Sequence, residues 1–403
     1  MGKRTIEDLR QMQAVPLDVK VKMTQRRLRE WVNEYGLDGV YVSFSGGKDS
    51  TVLLTIARQM YPDIKAVFVD TGLEYPEIRQ FVKTWDNVDW LKPKLSFKQV
   101  IQKYGYPFIS KEVSERVYYA QKYLAWYLSQ DNPEKQSSIP SPYGYVDLLG
   151  IPRDSNLRKE IYKTKIIPED ILYETAKKGG KGSYKIRELC GLNTRSNGEK
   201  SIYDYSNWLW LANSPYMISS KCCDVMKKGP AHAYAKRTGR KSITAQMACE
   251  SKLRTTQWLK AGCNGFDMKN PISNPMSFWT EQDVLQYIYD NKIPIASVYG
   301  DIVIDYNGMD QIEGQMSFND LDKEYGLFDL NRPLLKTTGC KRTGCMFCGY
   351  GCHLERSPGR FEIMKETHPK QYEYIMKPMQ EGGLGYKEVI DWLNEHGDLS
   401  IKY

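Results

Sequence analysis

A β-rich run, Gly39-Val40-Tyr41-Val42-Ser43-Phe44, stops at a glycine pair, and this junction constrains the fold more than any other stretch. Helical spacing follows from Thr51 to Met60, and Ile64-Lys65-Ala66-Val67-Phe68-Val69 is a second β-rich run. Strand, glycine turn, helix and strand in that order form the βαβ unit of a parallel sheet. The expected fold is therefore α/β, with a doubly wound parallel sheet. The turn itself reads Ser45-Gly46-Gly47-Lys48-Asp49-Ser50. Glycines let the backbone turn tightly, so that successive N–H groups can face a phosphate. The helix that follows adds its positive end. Lys48 supplies a cation, and Ser45 and Ser50 supply hydroxyls. Asp49 suits either Mg²⁺ or the backbone N–H groups of the loop itself. The second run ends at Asp70-Thr71-Gly72-Leu73-Glu74-Tyr75-Pro76-Glu77, at the carboxyl end of the neighbouring strand, where it borders the same crevice.

With 403 residues, the chain is long enough for about two or three folding units. Residues 5–36 read as helical, through Leu17, Val21, Met23, Leu28 and Trp31, with a stop at Gly36. From about Tyr104 to Tyr205 the pattern weakens. Pro133, Pro140, Pro142 and Pro152, then Gly179-Gly180-Lys181-Gly182, punctuate a Tyr- and Lys-rich insertion. Thr280 to Tyr289 reads as a helix with Thr280 as its N-cap. The expected organisation is an N-terminal helical segment (1–36) and a nucleotide-binding domain (37–115 and 206–335). A helical or loop insertion (116–205) interrupts that domain, and a cysteine-rich module with a helical tail (336–403) follows it.

No run of 18 apolar residues exists, so no membrane span is expected. The charged start, Met1-Gly2-Lys3-Arg4-Thr5-Ile6-Glu7-Asp8, has no apolar core behind it, and a cytoplasmic location is the expectation. In that compartment nine cysteines argue against a disulfide framework. Four of them crowd between Cys340 and Cys352, and Cys222 and Cys223 are adjacent, which asks for a metal or redox explanation. Cys190, Cys249 and Cys263 fit as small core residues. The net charge is +8, and between Ser206 and Ala261 ten Lys or Arg face two acids, an excess equal to that of the whole chain. Such a surface is either a solvated face or the partner of a polyanion, a nucleotide or a nucleic acid. Tyr118-Tyr119, Tyr123, Trp126-Tyr127 and Tyr143-Gly144-Tyr145 are equally open, as base-stacking platforms for DNA or RNA or as ordinary packing residues.

The loop at 45–50 lacks the Walker spacing. It matches the S-G-G-x-D-S signature of the ATP pyrophosphatases, the PP-loop enzymes. Asp70 to Glu77 resembles the D-T-G-x-x-x-P-E segment of their phosphoadenosine-phosphosulfate (PAPS) reductase branch. Glu250-Ser251-Lys252-Leu253-Arg254 resembles that branch's E-S-x-x-R element, with Met247 where reductases usually carry an arginine. Pro271-Ile272, Trp279-Thr280, Asp283-Val284, Tyr287-Ile288, Ile293-Pro294 and Tyr299 match a further stretch, so the resemblance covers roughly residues 35–115 and 215–355. The reductases' E-C-G-x-H ending does not occur; Cys352-His353 has a different spacing. The whole chain looks closer to the phage- and prophage-associated PAPS-reductase-like proteins, including the IbrA-like group, and more distantly to the DNA phosphorothioation protein DndC.

This resemblance implies an adenine nucleotide alpha hydrolase-like sheet and a ligand that is ATP or PAPS, with Mg²⁺. The implied nucleotide contacts are Ser43, Ser45, Gly46, Gly47, Lys48, Asp49, Ser50, Asp70, Thr71, Gly72, Glu250, Ser251 and Arg254. Lys48 and Asp49 take the catalytic roles. Lys221-Cys222-Cys223-Asp224-Val225-Met226-Lys227-Lys228 resembles the C-C-x-x-x-K element of adenosine-phosphosulfate reductases. The implied metal set is Cys222, Cys223, Cys345 and Cys348 around a four-iron cluster, with zinc as the alternative. A local set of Cys340, Cys345, Cys348 and Cys352, or no metal at all, remains open. Three functions follow: α–β cleavage of ATP to adenylate a substrate, with sulfur then passed to that substrate (DNA or RNA among the candidates) and a protein partner encoded nearby; sulfonucleotide reduction; and nucleotide sensing without turnover.

Overall fold

A computed structural model describes residues 4–129, 172–173, 176, 183–306 and 333–403. Pro133, Pro140, Pro142, Pro152, Gly179 to Gly182, Tyr143 to Tyr145 and the side chains of Trp126 and Tyr127 lie outside the described residues. The chain divides into two compact units, Met1–Lys92 with Pro230–Met346, and Pro93–Gly229 with Phe347–Tyr403.

In the first unit the N-terminal segment forms two helices, α1 (Ile6–Ala14) and α2 (Leu17–Tyr35), where the periodicity had predicted one. Proline disfavours helical geometry in the residue before it, and Val15 is extended ahead of Pro16. The strands of its main sheet are β1 (Val40–Ser43), β2 (Ala66–Val69), β3 (Val88–Leu91), β5 (Lys241–Ile243), β6 (Asn264–Gly265) and β7 (Ile272–Ser273), with β4 (Phe108–Ile109) in the second unit. They form one six-stranded sheet in the order β3-β2-β1-β5-β7-β6, parallel throughout except for β6 against β7. Val42 pairs with Ala66 on one side of β1 and with Ile243 on the other. The strand order therefore reverses direction at β1, and the crevice beyond its carboxyl end is the topological switch point of the sheet.

Both faces of β1 are covered, as a parallel strand requires. Val40 and Val42 join the main core with Leu28, Trp31, Val52 and Ile56, while Tyr41 and Val67 pack with Tyr234 on the opposite face. Helix α3 runs from Lys48 to Met60. It starts three residues earlier than its apolar spacing indicated, because Gly47 acts as N-cap and draws the loop's lysine into the first turn. The helix Glu281–Asn291 begins with a reciprocal cap, in which Asp283 N donates to Thr280 Oγ1 and Thr280 N donates to Asp283 Oδ2. The same Asp283 carboxylate accepts from Lys20 Nζ at 2.6 Å, a buried ion pair that ties this helix to α2.

The second unit is mostly helical: α4 (Phe97–Tyr104), α5 (Lys111–Ser129), Ser183–Leu189 and, at the C-terminal end, Arg360–Thr367, Pro369–Met376 and Tyr386–Gly397. A buried Arg116–Glu188 ion pair of 2.8 Å joins α5 to the helix Ser183–Leu189. Gly349-Tyr350 pairs in parallel with β4, and Gly349 lies so close to Phe108 that an added Cβ would stand 2.5 Å from its ring. Tyr106, Phe108, Phe361 and Tyr386 pack their rings together beneath this pairing. No helix among the described residues is long and apolar enough to cross a membrane.

Candidate active site

The loop 45–50 is held in shape by its own side chains. Ser45 N donates to Ser50 Oγ at 3.2 Å, Ser50 Oγ donates to Gly47 O at 3.0 Å, and Gly47 N donates to Ser45 Oγ at 3.4 Å. Gly46 sits at φ 72°, and a Cβ there would stand 2.8 Å from the Ile78 and Val82 methyl carbons, so the backbone conformation and the space both require glycine. Lys48 and Asp49 open α3, and amides in a first helical turn have no intrahelical acceptor. The loop thus combines helix-end amides with a short, internally braced backbone. Ser43 lies half-buried at the end of β1, directly before it.

Lys48 is buried. Its Nζ donates to Lys341 O at 2.9 Å and to Glu281 Oε1 at 3.3 Å, and it lies 5.4 Å from the centre of the Tyr299 ring. Tyr299 and Thr343 share a hydroxyl–hydroxyl bond, and burial pushes the Tyr299 phenol up to about 12. Asp49 is half-buried. Desolvation pushes its carboxyl above the usual range and Glu281 adds to the shift, against the opposing pull of Lys48, Arg342 and Arg254. Arg254 pairs with Glu250, and Glu250 also accepts from Met247 N at 3.0 Å and lies 3.8 Å from Arg342 Nη1. Three carboxylates and three cations therefore alternate beside the first turn of α3.

The sign of the Asp49 shift gives a prediction. A carboxyl raised in the folded state binds its proton there more tightly than in the unfolded chain, so stability falls as pH rises through that window. The penalty is complete above the raised value and absent below the ordinary carboxylate range. Asp49→Asn is therefore expected to raise the melting temperature at pH 8 and to lose that advantage near pH 3.5. Melting curves at the two pH values check it; equal differences at both would refute it.

The Asp70–Gly72 turn lies at the end of β2. Asp70 is buried and accepts from Arg79 Nη2 at 2.8 Å and from Gly72 N at 3.3 Å, while the Thr71 hydroxyl bonds to Glu74. Ser251 is exposed, and its Oγ caps the helix Lys252–Ala261 by accepting from Arg254 N. The structure thus gathers Lys48, Asp49, Glu250 and Arg254 into one charge network. It adds Glu281, Tyr299, Lys341, Arg342 and Thr343, to which sequence reasoning gave no role. The available signal was the basic Lys341-Arg342-Thr343-Gly344 stretch, which had been grouped with the cysteine-rich module.

Cys345 belongs to the first unit, and Cys222, Cys223, Cys348 and Cys352 belong to the second. Within the second unit Cys348 is close enough to Cys223 for their charges to interact, and burial raises the Cys348 thiol. Burial likewise pushes Cys352 up to about 12. Among the described residues no group of three or more Cys, His, Asp or Glu side chains stands in a position to hold a metal ion. Tyr118 is buried, with Lys221 Nζ 5.7 Å from its ring centre.

The sequence pattern of the phosphoadenosine phosphosulfate reductase domain matches residues 39–119 and 181–349, well over half of the chain. The chain belongs to this family. It shares 38% identity over 73 residues with an uncharacterized protein of Methanocaldococcus jannaschii, a match that spans 17% of this chain and 18% of that protein. The solved PAPS reductase of Candida auris, in a phosphate complex, is 14% identical with a TM-score of 0.31, over 72% of this chain and 94% of that one. Within the matched residues lie both crevice turns, the Glu250–Arg254 element and the Arg342 segment.

Proposed function

We propose that the first unit binds ATP at the 45–50 loop and cleaves it between the α- and β-phosphates. AMP would pass to an acceptor oxygen and pyrophosphate would leave. The observation that carries this reading is the position of Lys48, buried in the first turn of α3 at the switch point of the sheet. Family membership supports a nucleotide ligand. The loop amides and Lys48 would stabilise charge as it develops on the phosphates, and an ammonium already oriented by Glu281 and Lys341 O needs little reorganisation. For that, Lys48 exchanges Glu281 for a phosphate oxygen.

Mg²⁺ binds through one or two carboxylates plus substrate phosphates, and Asp49 beside Glu281 offers such a pair. When bound, the ion would neutralise phosphate charge. Calorimetry with ATP and PAPS in parallel, followed by pyrophosphate release from ATP, tests the reading. ATP binding with no pyrophosphate formed would reduce the protein to a nucleotide sensor.

A second reading, reduction of a sulfonucleotide, is favoured by the family description. Thiol-dependent sulfite release from PAPS is its test. The iron-or-zinc reading now rests on thiolate chemistry and on the electrostatic proximity of Cys223 and Cys348. Anaerobically purified protein is expected to carry iron and a brown chromophore. Stoichiometric zinc, or nine thiols that titrate freely without metal, would remove the cluster.

A further inference from the structure

Arg342 has no structural duty large enough to account for its place. It meets Glu250 at 3.8 Å with its side chain 58% exposed, and Glu250 is already held by Arg254 and by the Met247 amide. A long, solvent-screened ion pair contributes little to stability. Among the described residues no hydrogen bond commits the Arg342 guanidinium. Five N–H donors on a planar fork are thus presented at the mouth of the loop.

The backbone that carries this group is, by contrast, firmly anchored. Lys341 O, one residue before, accepts from Lys48 Nζ at 2.9 Å. The Thr343 hydroxyl, one residue after, bonds to Tyr299 Oη. Met346 N donates to Leu73 O at 2.8 Å, at the other crevice turn. The Tyr299 and Thr343 hydroxyls stand 3.3 and 3.9 Å from where a Cβ on Gly47 would be. The 341–346 segment is therefore a strut across both crevice turns, with an uncommitted arginine at its centre. That arginine's charge reaches Asp49, in the first turn of α3.

Resting on the reading of the loop as a nucleotide site, we infer that Arg342 binds the nucleotide's phosphate chain, with Glu250 orienting Arg342 and Arg254 side by side. Guanidinium pairs phosphate through two parallel N–H···O bonds, which a lysine cannot reproduce. Anchoring on both flanks means that little backbone freedom is lost when the ligand arrives. Arg342 would thus select for phosphates and not for the adenosine moiety.

The test is calorimetric titration of the full chain with ATP and with adenosine, for wild type, Arg342→Ala and Arg342→Lys, alongside melting temperatures. Arg342→Ala is expected to weaken ATP binding about 10- to 100-fold, the range for a lost charge-assisted hydrogen bond. Arg342→Lys should fall between it and wild type, and adenosine binding and melting temperature should not move. An ATP affinity within twofold of wild type would overturn the assignment while leaving the loop reading intact. Equal weakening of ATP and adenosine would make Arg342 a structural residue and overturn it too. A wild-type protein that binds neither ATP nor PAPS would remove the loop reading, and this inference with it.

Discussion

Lys48→Ala is expected to lower pyrophosphate release from ATP by about 10²–10³-fold, the cost of removing one preorganised donor from developing transition-state charge. The loss should fall mainly on turnover, because the loop amides and the start of α3 still bind phosphate in the ground state. Removing the ammonium also leaves Glu281 and Asp49 as like charges without their shared cation. Asp49 should then hold its proton to still higher pH, so residual activity in the variant should show an altered pH profile. Lys48→Arg is not an adequate replacement. A buried point charge held between a carbonyl, a carboxylate and the Tyr299 ring differs in shape and donor geometry from a planar fork. Steady-state pyrophosphate assays on both variants decide the matter, with melting curves as the folding control. Turnover within threefold of wild type in a folded Lys48→Ala protein would end the catalytic assignment.

What the sequence made legible was local. The βαβ junction, the glycine turn and the capping threonine at 280 each depend on residues within about one turn of one another, and periodicity and turn chemistry operate over that distance. Ser45, Gly47 and Ser50 brace one another across five positions, which explains why the loop could be read from its letters. Glu281 and Lys341 reach Lys48 from 233 and 293 positions away, brought there by sheet order and long connections that leave no periodic trace. The two-residue strands β6 and β7 are too short to show alternation at all. The apolar spacing continues past the helix break at Val15 and masks it, although Pro16 marks it. Cysteine spacing told which thiols are sequence neighbours. It could not tell which side chains gather around one point, because that depends on rotamers and on the path of the chain between them.

The largest stability effect should come from a pair remote from the loop yet coupled to it through one helix. Lys20 and Asp283 are both buried and only 2.6 Å apart. Removing one partner of such a pair strands the other charge in a poorly solvated place, at a cost of about 3–5 kcal/mol. Lys20→Met is expected to destabilise the protein by that amount, read from the denaturation midpoint in urea. Asp283 would keep its bonds from Thr280 but lose its neutralising partner. Lys20→Met combined with Asp283→Asn should recover much of the loss, since the amide can still accept from the Thr280 backbone without carrying a charge. Glu281 lies two residues before Asp283 in the same first turn, and it is Glu281 that orients Lys48. Loosening that turn should therefore lower pyrophosphate release in protein that is still folded, while Asp283→Asn with Lys20→Met should restore part of it. A Lys20→Met protein destabilised by less than about 1 kcal/mol would show the pair to be solvated, like the surface ion pairs whose worth lies in that range. It would also break the proposed line from α2 through the capped helix to Lys48.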